Sequence, residues 1–414
     1  FAPAMLRFPG GIDANYYHLD GPGYGYKRPP LGGSDPQTQG IGSQDDETIT
    51  RAGDGSSDEE YSFRRDGSSD DSYRSPKNQD NGGKYIFPRD AAHPGGKNVI
   101  GELIQLAVSS GSPLLFTCNM LDATYEENKL VLDSLLRGGV SLAGIELGNE
   151  FYLPRYRDKY SNAQVYIDTA RYYAARLRQD YPGVKIGAVA SPSEIMPAHE
   201  KQYDYYKSWN QALAAEDFYD AYIVHYYIKD ANTWCPDNTI SSANLPATFA
   251  RYQDSLQKHL AFWFGPALDG FKALFPGKKM WLTEWNTTNR YTCFGNTQVN
   301  NLFFAQYQNE LATRYGDLVE LAVHHNWLGR GKHFPMLAPA GKGFAERSSS
   351  PLFKLLQPIF SGRETRVAAM PASMTGNLPA GVKLYGYYHQ ATGSEPARLL
   401  VVVVNLNEQA QTVS

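Results

Sequence analysis

The stretch GIELGNE (residues 144–150) decides how this chain is read. It is a short apolar run that closes on Gly-Asn-Glu. A second run of the same build, KMWLTEWN (residues 279–286), closes on Thr-Glu-Trp-Asn. Near-continuous apolar runs, rather than alternating ones, are what strands covered on both faces require. Five more such runs flank these two: AMLRFPGG (4–11), PLLFTCNM (113–120), VKIGAVASP (184–192), AYIVHYYIK (221–229) and VELAVHHNWLG (319–329). Between most of them apolar residues recur at three- and four-residue spacing. Residues 126–137, 164–179 and 299–315 are predicted amphipathic helices on that ground. Seven strands of a β/α repeat predict an α/β chain folded as a (β/α)8 TIM barrel, with its first strand upstream of residue 1. The seven runs then fill barrel positions two to eight. An open doubly wound sheet is the alternative, but no Gly-rich dinucleotide or phosphate loop favours it.

Two segments fall outside the repeat. Residues 34–80 carry twelve acids and five bases, and their only aliphatic β-branched residues are Ile41 and Ile49. DGSSDEEYSFRR (54–65) is followed by its near-copy DGSSDDSYRSPK (66–77). Such a segment can bury little surface, so an acidic, irregular insertion is expected. Its Asp and Ser runs could supply oxygen ligands to calcium, at a spacing of no known loop motif. After a closing helix over 350–361, the chain turns to TRVAAMPAS, GVKLYGYYHQA and RLLVVVVNLNE, which read as part of an antiparallel β-sandwich. The expected division is therefore a catalytic barrel over 1–362 and a partial sandwich over 363–414.

The 414 residues are 42% hydrophobic and 20% charged, enough for a large core and too apolar for global disorder. A net charge of −4 argues against nucleic acid as a partner. No apolar stretch is long enough to span a membrane. The 29 tyrosines and 6 tryptophans suit a carbohydrate-binding surface, since apolar sugar faces stack on such rings. The chain opens at Phe1 without Met or a signal peptide, which reads as a processed form or fragment, and a secreted or extracellular protein is expected. No oligomeric state can be read from the sequence.

Barrel enzymes work at the C-terminal ends of their strands. Glu150 ends position four and Glu284 ends position seven. One strand-end glutamate is most often a rim residue. Two, each with Asn or Trp beside it, match what glycoside cleavage needs: one carboxyl to protonate the leaving oxygen, the other to attack the anomeric carbon or activate water. Position six ends in His225, Tyr226 and Tyr227, and position eight in His324, His325, Asn326 and Trp327.

GNE and TEWN in this order resemble the signature of clan A of the retaining glycoside hydrolases. LRFPGG (6–11) is similar to the second-strand motif of the arabinofuranosidase (family 51) and heparanase/β-glucuronidase (family 79) branches, and the appended sandwich also resembles that of the β-xylosidase branch (family 39). The resemblance implies a retaining double displacement with Glu150 as acid/base and Glu284 as nucleophile. It implies Asn149 on the sugar 2-hydroxyl, Arg7 holding Glu284 ionised, and His225 and Tyr227 orienting the two carboxylates. It further implies Trp327 as the floor of the sugar subsite, with core packing as the bland alternative there. Trp285 is divided between those two roles. The continuation FYLPRYRDKY after Glu150 departs from these branches, which leaves the substrate open. No cofactor is implied.

The other candidates are weaker. His324 and His325 lack an acidic or Cys partner at metal-ligand spacing, so no metal is expected. Arg290, Arg330 and Lys332 could meet a uronate carboxylate or sulfate, and Asn119 and Asp122 a sugar hydroxyl. Cys235 and Cys293, in loops after neighbouring strands, could form a disulfide, while Cys118 reads as a buried small hydrophobe. Two rivals to a glycosidase remain: a catalytically silent glycan-binding barrel, which would tolerate loss of either carboxylate, and a non-glycosidic barrel enzyme, which would need a ligand cluster.

Overall fold

Each of the seven apolar runs becomes a parallel strand of one sheet. The computed structural model describes residues 5–19, 100–228, 245–287, 297–327, 335–340, 343–360, 367–369, 381–389 and 396–406. The strands are β1 (Leu6–Phe8), β2 (Leu114–Thr117), β3 (Leu142–Leu147), β4 (Ile186–Val189), β5 (Ala221–Ile228), β6 (Lys279–Thr287) and β7 (Val319–His324), hydrogen-bonded in that order. β2 and β4 are buried at every residue, as strands between a filled barrel and a helical layer must be. The chain is a (β/α)8 TIM barrel. Among the described residues no strand pairs the outer edges of β1 and β7.

The helices are α1 (Ile100–Ser110), α2 (Tyr125–Arg137), α3 (Ala163–Asp180), α4 (Tyr203–Ala214), α5 (Leu245–Lys258), α6 (Gly265–Leu274), α7 (Gln298–Tyr315) and α8 (Ser349–Phe360). Start signals are plain where they exist. Thr124 and Glu127 close a reciprocal capping box on α2, and the Asn162 side chain caps α3. One turn of π-helix, His259–Phe264, joins α5 to α6. No helix among the described residues is long and apolar enough to cross a membrane.

Inside the barrel, Trp281 of β6 fills the lower layer. A Cβ at Gly144 on β3 or Gly187 on β4 would run into its ring, so these two glycines make room for the indole. Its Nε1 donates to Glu320 at 2.8 Å. Above this plug the β5–β6 ladder slips: Val224 pairs Leu282, but His225 pairs Glu284, so Thr283 is passed over. Such bulges sharpen local twist and re-aim side chains. Here the slip sets His225 beside Glu284.

After β7 a hairpin of β8 (Leu337–Ala340) and β9 (Gly343–Glu346) intervenes before α8. The sequence reading missed it, because Pro339 interrupts a run with no alternation. The chain then forms a three-stranded antiparallel sheet of β10 (Val367–Ala369), β11 (Val382–His389) and β12 (Arg398–Asn405). Tyr385, Tyr387 and Val404 of this sheet pack on Ala305 of α7 and on Leu356 and Ile359 of α8. Tyr385 also donates to Glu310 at 3.1 Å. The insertion over 34–80, Arg290, Arg330, Lys332, Cys235 and Cys293 all lie outside the described residues, and the disulfide reading with them. Cys118 is a free, fully buried thiol.

Candidate active site

Glu150 and Glu284 meet at one imidazole. His225 Nδ1 lies 2.9 Å from Glu150 Oε1 and 3.7 Å from Glu284 Oε2. The chain reaches this geometry through a tight exit from β3. Gly148 sits at φ +87°, where a Cβ would collide with the Phe151 ring. Glu150 follows at φ +51°, a left-handed conformation that costs a non-glycine residue energy and recurs at functional sites. The two carboxylates differ in setting. The side chain of Glu284 is 5% exposed and that of Glu150 20%.

Glu284 is surrounded by donors. Oε1 accepts from Arg7 Nη1 at 2.6 Å and from the Gly11 backbone N–H at 3.1 Å. Oε2 accepts from the Tyr227 hydroxyl at 2.7 Å. Burial alone would push this carboxyl's pKa up. The positive potential of His225 and Arg7, with the Tyr227 hydrogen bond, outweighs burial and holds it well below the carboxylate range. Burial and the Glu284 charge push the Tyr227 hydroxyl far above its ordinary value, so it stays a donor.

Arg7 is itself gripped by a residue the sequence reading missed. Glu146, on β3 and fully buried, accepts from Arg7 Nε at 2.9 Å and Nη2 at 2.6 Å, and from Thr117 Oγ1 at 2.8 Å. The guanidinium therefore presents Nη1 to Glu284 and Nη2 to Asn149 Oδ1, at 2.9 Å. The Asn149 backbone is braced by Asn15, which donates to its carbonyl at 2.8 Å and accepts from its N–H at 3.2 Å. Asn149 Nδ2 is buried without a hydrogen-bond partner among the described residues. Tyr152, also missed, donates to Glu150 Oε1 at 3.2 Å. A signal for Glu146 existed: Arg7 and Glu146 are opposite charges inside runs buried on both faces, where an isolated charge is costly. Glu146→Leu is expected to lower stability by about 3–5 kcal/mol, the cost of removing one partner from a buried pair. Denaturant unfolding of the variant measures it, and a loss under 1 kcal/mol would contradict the pairing.

The remaining candidates sort by strand alternation. Tyr227 faces the site, whereas Tyr226 points outward and its hydroxyl meets His259 Nε2 at 2.8 Å. Trp285 is not brought to the site. It lies on the opposite face of β6 from Glu284, fully buried, stacked on Tyr307 and edge-on to Phe304 of α7. His324 is buried with it, against Phe304 and Phe353, and burial pushes its imidazole down to about 3. The His325–Asn326 peptide, just beyond β7, is cis. His325 turns to the site, its Nδ1 2.6 Å from the Tyr227 hydroxyl. Trp327 is half-buried against the main core and tied to the β8 hairpin through its carbonyl, which accepts from Leu337 N–H at 2.9 Å. Asn119 is spent on the fold. Its amide donates to the Tyr17 carbonyl and to Asp122, and its oxygen accepts two backbone N–H groups. Asp122, exposed, reaches His18 at 3.2 Å.

His225 has opposing influences. Burial pushes its pKa down, but the charges of Glu284 and Glu150 and the hydrogen bond to Glu150 prevail and raise it. The ring is expected to titrate above about 6.5, and Glu284→Gln to bring that midpoint down. Ring proton shifts followed by NMR against pH test both. The sign for stability follows: the contribution is complete below about pH 6.5 and is lost as pH rises through the folded-state value.

Known structures share this architecture. A family 51 arabinofuranosidase from Xanthomonas axonopodis pv. citri superposes with a TM-score of 0.54 at 14% identity, covering 98% of this chain and 74% of that one. The family 51 α-L-arabinofuranosidase of Thermotoga petrophila RKU-1 gives 0.52 at 17% identity, covering 98% and 73%. What they share with this chain is the (β/α)8 barrel. At these identities the likeness is one of fold. No protein-family model and no curated protein matches the chain.

Proposed function

We propose that this protein is a retaining glycoside hydrolase acting on an oligosaccharide or polysaccharide, with Glu284 as nucleophile and Glu150 as acid/base. One observation carries the reading. A buried, ionised carboxylate and a more exposed one sit on either side of a single imidazole nitrogen, 2.9 and 3.7 Å away. That bounds the two oxygens to less than about 7 Å apart, which favours the closer spacing of retaining enzymes, about 5–5.5 Å, over most of the inverting range. The neighbouring barrels, both arabinofuranosidases, agree with a carbohydrate substrate and do not choose the sugar.

In the first step Glu150 gives its proton to the leaving oxygen. Glu284 Oε2, the oxygen on the Glu150 side, bonds to the anomeric carbon as the glycosidic C–O bond breaks. Asn149 Nδ2 donates to the 2-hydroxyl, an interaction that strengthens in the transition state, while Trp327 underlies the ring. In the second step Glu150, now ionised, takes a proton from water. The water oxygen displaces Glu284 from the sugar and restores its carboxylate. Arg7 and Tyr227 keep Glu284 ionised in the resting enzyme and release charge-assisted hydrogen bonds as the ester forms. The test is hydrolysis of a panel of aryl glycosides and neutral, uronic and sulfated polysaccharides, with NMR of the first product. Retained anomeric configuration is expected, and inversion would overturn the assignment of Glu284 as nucleophile.

A further inference from the structure

The Tyr227 hydroxyl has one hydrogen, and two groups among the described residues lie close to it: Glu284 Oε2 at 2.7 Å and His325 Nδ1 at 2.6 Å. Both distances are those of strong hydrogen bonds, so all three groups must agree on where the hydrogens sit. An ionised carboxylate can only accept. Tyr227 therefore donates to Glu284, and its oxygen is left as an acceptor toward His325. That contact is a hydrogen bond only if His325 carries a hydrogen on Nδ1. The opposite tautomer would pull the tyrosine proton onto His325 and turn the hydroxyl's lone pairs toward the carboxylate.

We infer that His325 is a positioning residue for the nucleophile: its Nδ1–H holds the Tyr227 oxygen and thereby commits the single tyrosine hydrogen to Glu284. The ring planes stand at 86° with centroids 6.0 Å apart, so His325 meets Tyr227 at its hydroxyl rather than by stacking. Burial keeps His325 below its ordinary pKa despite the Glu284 charge, so near neutrality it holds one ring hydrogen, whose place matters. The arrangement follows strand alternation: His324 faces the helical layer, against Phe304 and Phe353, and His325 turns the other way, to the Tyr227 hydroxyl.

The kinetic consequence rests on the glycosidase reading; the tautomer does not. Long-range proton–nitrogen NMR of the wild-type protein near neutral pH, with the His325 signals identified by their loss in His325→Gln, reads the tautomer whether or not the protein turns over. A protonated Nδ1 is expected, and a bare Nδ1 overturns the inference. On a substrate found in the panel, His325→Leu is expected to lower kcat about tenfold with KM nearly unchanged. His325→Gln, whose amide can also donate, should recover most of that loss. In a Tyr227→Phe background His325→Leu should cost little more, because the two act as one unit. Equal losses in the Leu and Gln variants, or full additivity with Tyr227→Phe, would overturn the positioning role even with the expected tautomer. A wild type silent on every glycoside would count against the proposed function and leave the tautomer result standing.

Discussion

Glu284→Gln is expected to lose turnover by on the order of 10⁶-fold in kcat, the scale seen when a hydrolase loses its covalent nucleophile. The substitution keeps size and shape but removes the charge that, in the proposed mechanism, attacks carbon. The fold should survive it. Arg7 keeps its buried partner Glu146 through Nε and Nη2, so no unpaired guanidinium is left behind. Binding should change little, since the amide still accepts from Arg7 Nη1 and the Gly11 N–H, which now meet Oε1 at 2.6 and 3.1 Å. A smaller variant, Glu284→Gly, leaves room for an external anion. Azide added to it should restore cleavage of an aryl glycoside bearing a good leaving group and yield a glycosyl azide of inverted configuration, because only one displacement then occurs. Steady-state kinetics and NMR of the azide product check both parts. More than about one hundredth of wild-type kcat in Glu284→Gln would remove this residue from the nucleophile's role.

The position of the candidate site was legible because barrel enzymes gather their chemistry at the C-terminal ends of the strands. Once GIELGNE and KMWLTEWN are strands, Glu150 and Glu284 have to reach the same rim. The lateral arrangement was less legible. That His225 stands beside Glu284 depends on a ladder slip at Thr283, which leaves no mark in the sequence. Trp285 could have been placed by alternation alone: if Glu284 faces in, its neighbour faces the helices. Glu146 was hidden for a different reason. Its carboxylate belongs with Arg7, 139 residues away, and no local pattern links them. Tyr152 sits in a Tyr-rich turn where no single ring stands out. The fold outside the barrel was read from turn residues and β-branched runs, so β11 and β12 were visible. The β8–β9 hairpin, with a proline and three alanines in its strands, was not.

Glu150→Ala should show a different pattern, and the pattern matters more than the size of the loss. General acid–base catalysis contributes about 10²–10⁴-fold, so kcat on a substrate with a poor leaving group is expected to fall by that factor. An aryl glycoside whose leaving group departs without protonation should be spared in the first step, and slow hydrolysis of the covalent intermediate then becomes limiting. KM should fall together with kcat on that substrate, because intermediate accumulates. A burst of released aryl alcohol before steady state would display the accumulation. Azide should accelerate the second step without needing a base and give a glycosyl azide of retained configuration, the opposite of the Glu284→Gly product. The geometry supports this division of labour. Glu150 is the more exposed carboxylate and has Tyr152 and His225 at one oxygen, at 3.2 and 2.9 Å, which leaves the other oxygen to face the leaving group and water. If Glu150→Ala lost activity equally on activated and unactivated substrates, with no burst and no response to azide, Glu150 would be a binding group, and the proton would have to come from elsewhere.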